Sequence, residues 1–287
     1  MSRPGRVWSH DQAAGLRRLF KSRTSLTVAF VAGMPGVGTT RFLAQTALQL
    51  AAQDQQVLLV DEQGGSRNAT AALGVGYRFD LAQALAGDLT VDQVLVPVTD
   101  KLKVLPAAKA VRLLRQNEAS GRQELAARLG TTWRSQNFVL VDAGMEEGAQ
   151  PLSLLGRTAG HIVLVVGTGT TAVTASYLLV KRLAAAYPTA RLSIVVSRAR
   201  SEEEARGIAA NLQLVARQHL GLELGWLGWV PQDPGWREGG AGFAASPAVL
   251  ACTHLAQSLL QLAGMSDANG HKTPPPGRAT LLHNVSA

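Results

Sequence analysis

The chain has 287 residues, 46% hydrophobic and 17% charged, with a formal net charge of +8 and a pI near 10.2. That length and apolar share give one large α/β domain or two small ones with a real core, and exclude a disordered chain. A single cysteine, Cys252, excludes an internal disulfide framework, no apolar run has membrane-span length, and MSRPGRVWSHDQ lacks the apolar stretch of a secretory signal, so the expected location is cytoplasmic.

Residues 1–23 form a basic leading segment: Arg3, Arg6, Arg17, Arg18, Lys21 and Arg23 stand against Asp11 alone, and carry more than half of the excess charge. Within it Ser9-His10-Asp11-Gln12 has capping-box spacing, and Leu16, Leu19 and Phe20 share one face of the helix that follows. Three turns are marginal alone in water, so this helix needs its own core or a partner. The first core strand is expected over 26–32. The loop GMPGVGTT (33–40) and a helix over 39–53 come next. Further strands are expected at 56–61, 102–105, 137–141, 161–167, 192–197 and 225–230, and helices at 119–134, 171–186 and 202–219. Two long glycine-containing connections, 62–101 and 143–160, separate them. A closing helix over 248–263 should end at Gly264, and the proline-rich tail 265–287 reads as disordered. Strands alternating with helices predict an α/β fold: a doubly wound, mostly parallel sheet covered on both faces. It forms a single domain over 24–264 with an N-terminal helical extension.

A strand, a glycine-rich turn and a helix start together make an anion cradle, because glycines let backbone amides wrap a phosphate at the positive end of a helix dipole. Gly33, Gly36, Gly38 and Thr40 have Walker spacing, so the candidate cofactor-binding residues are Gly33, Gly36, Val37, Gly38, Thr39 and Thr40. Thr40 has the hydroxyl suited to Mg²⁺, but Thr39 stands where that motif has its lysine. Two readings stay open: a turn kept only for structure, and a loop that still holds some nucleotide. Asp61 and Asp142 likewise read either as satisfied strand-end carboxylates or as site residues. Trp226, Trp229 and Trp236 could suggest a binding platform, but Trp226 and Trp229 flank a strand and read as packing. His10, His161, His219 and His254 lack metal-ligand spacing, and Ser153, Ser197 and Ser201 lack a nucleophile elbow.

VLLVDEQGG, NFVLVDAGMEEG, LVVGTGTTAV, IVVSRAR and GWLGWVPQD follow the loop in order. With them the chain resembles the MinD/ParA group of deviant-Walker ATPases over roughly residues 25–263, and within that group the flagellar-number regulators FlhG/FleN. Asp11-Gln12-Ala13-Ala14-Gly15-Leu16-Arg17 matches the DQAxxLR motif by which that family engages the GTPase FlhF. The resemblance therefore implies Asp11, Gln12, Ala13, Leu16 and Arg17 as partner-binding residues, with Gln12 reaching the GTPase centre. It also implies ATP or ADP with Mg²⁺ as the cofactor, weakly bound if at all, with Thr40 and Asp142 on the metal side.

The carry-over is uneven. The group's loop reads K-G-G-x-G-K-[ST]; here Met34 and Thr39 replace both lysines. Its D-x-D becomes Asp61-Glu62-Gln63, its S-P-A-G becomes Ala143-Gly144-Met145-Glu146, and its adenine-side asparagine becomes Ser197, while Asp233 is retained. Losing one well-placed donor at developing negative charge costs about 3–4 kcal/mol of barrier. Two cations and one carboxylate are missing together, and Glu146 and Glu147 add negative charge. The expectation is a pseudo-ATPase with vestigial Asp61 and Asp142, acting on an FlhF-like GTPase and on flagellar assembly components. It should be a monomer or a nucleotide-independent dimer, with no firm membrane anchor in RATLLHNVSA. The rival readings are a working ATPase whose loop cation comes from elsewhere, Arg41 being set to point away along its helix, and a ParA-like DNA binder; DNA is the less expected partner.

Overall fold

The computed structural model describes residues 25–66, 68–116, 118–233 and 246–269. The expected N-terminal helix with Asp11, Gln12, Ala13, Leu16 and Arg17, Trp236 and nearly all of the tail lie outside the described residues.

Eight strands form one sheet: β1 (Leu26–Ala32), β2 (Val57–Asp61), β3 (Val96–Pro97), β4 (Leu102–Pro106), β5 (Phe138–Asp142), β6 (His161–Gly167), β7 (Arg191–Ala199) and β8 (Gly225–Pro231). Their order is β3-β4-β2-β5-β1-β6-β7-β8, and every pairing is parallel except β3 with β4. The central strands are unbroken apolar runs because both faces are covered; in β5 all of FVLVD is buried. Strand alternation divides them between two cores. Val28, Phe30, Leu59, Leu140 and Val165 face one layer with α1 (Thr39–Ala52) and α9 (Pro247–Asn269). Ala29, Val31, Leu58, Val141 and Leu164 face the other, with α7 (Thr170–Ala186) and α8 (Glu202–Leu220).

The expected α/β class and the seven expected strands are present. The connection 62–101 is more ordered than the sequence signals implied. It holds α2 (Ala69–Ala72), α3 (Leu81–Ala86), α4 (Val91–Val94) and the edge strand β3. Each of these short helices is side-chain capped: Asn68 accepts from the Ala71 amide, Asp80 from Ala82, and Thr90 from Gln93. A further helix, α5 (Ala108–Gln116), precedes α6 (Glu118–Arg134). Its first-turn amides Lys109 and Ala110 donate to Asp80 at 3.0 Å each. That cap comes from about thirty residues upstream, so no local signal marks the helix. The closing helix also runs past its expected stop. Gly264 costs about 1 kcal/mol relative to alanine but removes no hydrogen bond, and α9 continues to Asn269.

The helix that matters most for the site is α1. Phe42, fully buried, meets Phe30 of β1 edge-on, with ring centroids 6.0 Å apart and planes at 71°. Phe42→Ala should cost about 3–5 kcal/mol of stability. Urea unfolding followed by circular dichroism measures this, and an unchanged midpoint would contradict the anchoring role of that ring.

Candidate functional site

The loop 33–38 leaves β1 at the carboxyl edge of the sheet. Here the chain passes from β1 to β2, beyond β5 on one side, and later places β6 on the other. Such a switch point is where open α/β sheets hold ligands. An open cleft of about 1390 Å³ lies there. The loop, the ends of β2, β5, β7 and β8, and Arg182 of α7 line it.

The loop backbone has the shape of a phosphate cradle. Gly36 and Gly38 sit at φ 82° and 94°, the left-handed region where a side chain is strained. Gly38 is the N-cap of α1 and no side chain caps that helix, so its N-terminal end is presented to the cleft. Gly33 is required for a different reason. A Cβ there would lie 2.7–2.8 Å from the backbone of Ala175 and Ser176 in α7. Val37 is buried and packs toward Gly167, and its carbonyl accepts from Ser197 Oγ at 2.7 Å. Ser197 therefore holds the loop itself.

The two strand-end aspartates behave differently. Asp61 and Asp142 are register partners on β2 and β5. Asp61 accepts from the amides of Gln63 at 3.0 Å and Ala69 at 2.6 Å, and so serves its own turn into α2. Burial pushes its pKa up to about 6, against those backbone bonds. Asp142 lines the cleft. Burial lifts it to about 7, with Asp61 adding repulsion and the Thr40 hydroxyl opposing the rise. Its Oδ2 is buried with no hydrogen-bond partner. An orphaned carboxylate oxygen beside a hydroxyl fits a hard cation, so Thr40 and Asp142 are the residues that would hold Mg²⁺. Gln63 donates its side-chain amide to the Asp142 carbonyl at 3.4 Å. It braces β5.

Three features were not legible in the sequence. Glu62 is buried, accepts from the Gly144 amide at 2.9 Å and from the Ser153 hydroxyl, and is pushed up to about 8 by burial, with Asp142 and Glu146 adding to the rise. It latches segment 143–153 to β2. Arg182 donates to the carbonyls of Glu146 at 2.8 Å and Gly148 at 3.0 Å, and fixes the acidic segment at the cleft rim. Arg198, a non-glycine residue at φ 63°, brings its guanidinium to the loop: its Nε lies 3.6 Å from where a Gly38 Cβ would stand. A spacing rule cannot find it, because β7 approaches the loop only through the sheet order. Arg41, expected to point away, is exposed yet also borders the cleft.

Elsewhere the polar groups are structural. His161 Nε2 pairs with Ser193 Oγ at 2.9 Å, and burial, aided by the positive charge of Arg191, lowers its pKa to about 4. Trp226 and Trp229 pack against the core. Among the described residues no group of His, Cys, Asp or Glu has metal-site geometry, and no helix is long and apolar enough to cross a membrane.

No protein-family model matches the chain. It is 26% identical over 211 residues to the antiactivator FleN of Pseudomonas aeruginosa, covering 74% of this chain and 75% of FleN. Its fold is similar to MinD in the MinC:MinD cell division complex of Aquifex aeolicus. There the identity is 22% and the TM-score 0.60, with 88% of this chain and 98% of MinD covered. MinD complexed with Mg-ADP from Pyrococcus horikoshii is similar at 19% identity and a TM-score of 0.62, with 84% and 98% covered.

Asp61, Glu62 and Asp142 all have folded pKa values above their unfolded ones. The folded state therefore holds more protons than the unfolded state between about pH 4 and 8, and stability falls as pH rises through that window. Thermal melts from pH 5.5 to 8 should decline, and Asp142→Asn should flatten the decline; a steeper loss in that variant would contradict the assignment.

Proposed function

We propose that this chain, a MinD/ParA-group protein close to FlhG and FleN, is a regulator of flagellar biosynthesis that works by contact with other proteins and not by ATP turnover. The observation that carries the reading is the composition of the cleft. Met34 and Thr39 border it where the group has lysines, and Gln63 is engaged with the β5 backbone where the group has a carboxylate. Phosphoryl transfer depends on charge neutralisation and on a positioned nucleophile. Three carboxylates with raised pKa values crowd the strand ends, and the cations near them, Arg182 and Arg115, are engaged with the segment after β5.

Where the residues do fit a nucleotide is in binding. The loop amides at the start of α1 suit a phosphate, and Thr40 with Asp142 suits Mg²⁺, which would neutralise phosphate charge. Ser197 and Glu62 hold the loop and the segment after β5 in place around that cradle. This supports a site that retains ligand without consuming it.

The contact surface is assigned to the N-terminal helix. Asp11, Gln12, Ala13, Leu16 and Arg17 carry the motif, and the surrounding arginines suit an acidic protein face. The relative FleN is an antiactivator, and flagellar assembly components are the second class of partner we assign to the core. A guanidinium beside the loop, Arg198, favours one rival: an ATPase with a displaced cation.

Two measurements separate these readings. The purified chain with Mg²⁺-ATP should release phosphate no faster than the Asp142→Ala variant does. The full chain should raise GTP turnover of an FlhF-type GTPase, and Gln12→Ala should abolish most of that rise. Phosphate release that depends on Asp142 would promote the ATPase, and stimulation indifferent to Gln12 would remove the helix from the mechanism.

A further inference from the structure

The cleft is electrically divided. Loop 33–38 follows β1, which lies between β5 and β6, so the site has a β5 side and a β7 side. On the β7 side stands the guanidinium of Arg198, within 4.0 Å of the Gly38 Cβ position through Nε and Nη2, with one carboxylate, Asp233, farther out past the end of β8. On the β5 side stand Asp142, Glu146 and Glu147. The cationic groups of the β5 side are already committed. Arg182 serves the carbonyls of Glu146 and Gly148, and Arg115 pairs with Glu146 at 3.4 Å.

The orphaned Oδ2 of buried Asp142, beside Thr40, marks where a cation belongs. In phosphate-loop sites that cation bridges the outer phosphates. The outer end of a phosphate chain therefore points to the β5 side, and its inner end to Arg198. A second phosphate reaches the amides of the loop. A third must approach Glu146 and Glu147 with no lysine between. Nor does the acidic segment swing aside without cost. The Glu146 amide donates to the Pro151 carbonyl at 3.0 Å, Met145 bridges Leu152, Gly144 is latched by Glu62, and Arg182 clamps two carbonyls.

We propose that the cleft selects a nucleoside diphosphate over the triphosphate, and that Glu146 and Glu147 are the residues that exclude the third phosphate. The inference rests on the cleft being a ligand-retaining site and deepens that reading: the bound state is a product-like diphosphate, held without a preceding hydrolysis step. Arg198 contributes attraction common to both nucleotides.

The test is equilibrium titration of the purified full chain, with Mg²⁺, using N-methylanthraniloyl-ADP and N-methylanthraniloyl-ATP. The diphosphate should bind at least about tenfold tighter, the scale of one like-charge contact at a partly buried site. Glu146→Gln with Glu147→Gln should tighten ATP by about tenfold and leave ADP within about twofold. Glu147 is exposed, so Glu147→Gln alone keeps the test available should the double variant fold poorly. ATP binding as tightly as ADP, or a ratio unmoved by these substitutions, would overturn the proposal. Binding of neither nucleotide would also overturn it, while stimulation of the GTPase would stand or fall separately.

Discussion

Two neighbouring parallel strands end in carboxylates that the fold buries. β2 and β5 are paired so that Asp61 lies beside Asp142, and Glu62 follows directly, also buried. Three acids at one sheet edge repel one another and lose hydration, and in this chain no loop lysine stands among them. The structure answers with hydrogen bonds. Asp61 is spent on two amides of its own turn, and Glu62 on Gly144 and Ser153. Of these three acids, Asp142 alone keeps a buried oxygen without a hydrogen-bond partner. Everything specific about the cleft follows from that distribution: which acid is structural, which faces ligand, and how the segment after β5 is held.

The loop is maintained with more care than a vestige needs. Gly33 touches the backbone of α7 so closely that a methyl group would not fit, and Gly36 and Gly38 hold left-handed conformations. Ser197 spends its hydroxyl on the Val37 carbonyl. These contacts fix the cradle from two separate elements, α7 and β7. A fold that kept the turn only for chain reversal would not require the α1 amides to be left uncapped at the cleft.

The sequence was informative where the signal is local or periodic. The apolar runs locate the strands because both faces of the sheet are covered, and the glycine spacing of 33–40 places the loop at the end of β1. It was silent where the determinant is distant. The cap of α5 comes from Asp80, about thirty residues earlier, and the latch from Glu62 to Ser153 spans ninety-one positions. Arg198 reaches Gly38 only because β1, β6 and β7 are successive neighbours in the sheet. Asp61 and Asp142 look alike in sequence, each closing an apolar strand with an acid. Only their hydrogen-bond partners distinguish them. The segment around Gln12, expected from its motif to bind a partner, lies outside the described residues.

A cleft that held anions at one end and repelled them at the other would be poor at catalysis and well suited to retention. Catalysis would need the outermost phosphate to be stabilised as its charge shifts, on the side where Glu146 and Glu147 stand. Retention needs only the inner cradle and a cation at Asp142. Ligand there would bind the folded chain alone and so stabilise it, and a cation with it would neutralise Asp142, one of the buried acids that oppose folding at neutral pH. The site would then act as a fastening between the ends of β1, β5 and β7. Contact surfaces built on that edge would be set by occupancy without any turnover. In this way a chain without the lysines of an ATPase can keep the nucleotide cradle of one.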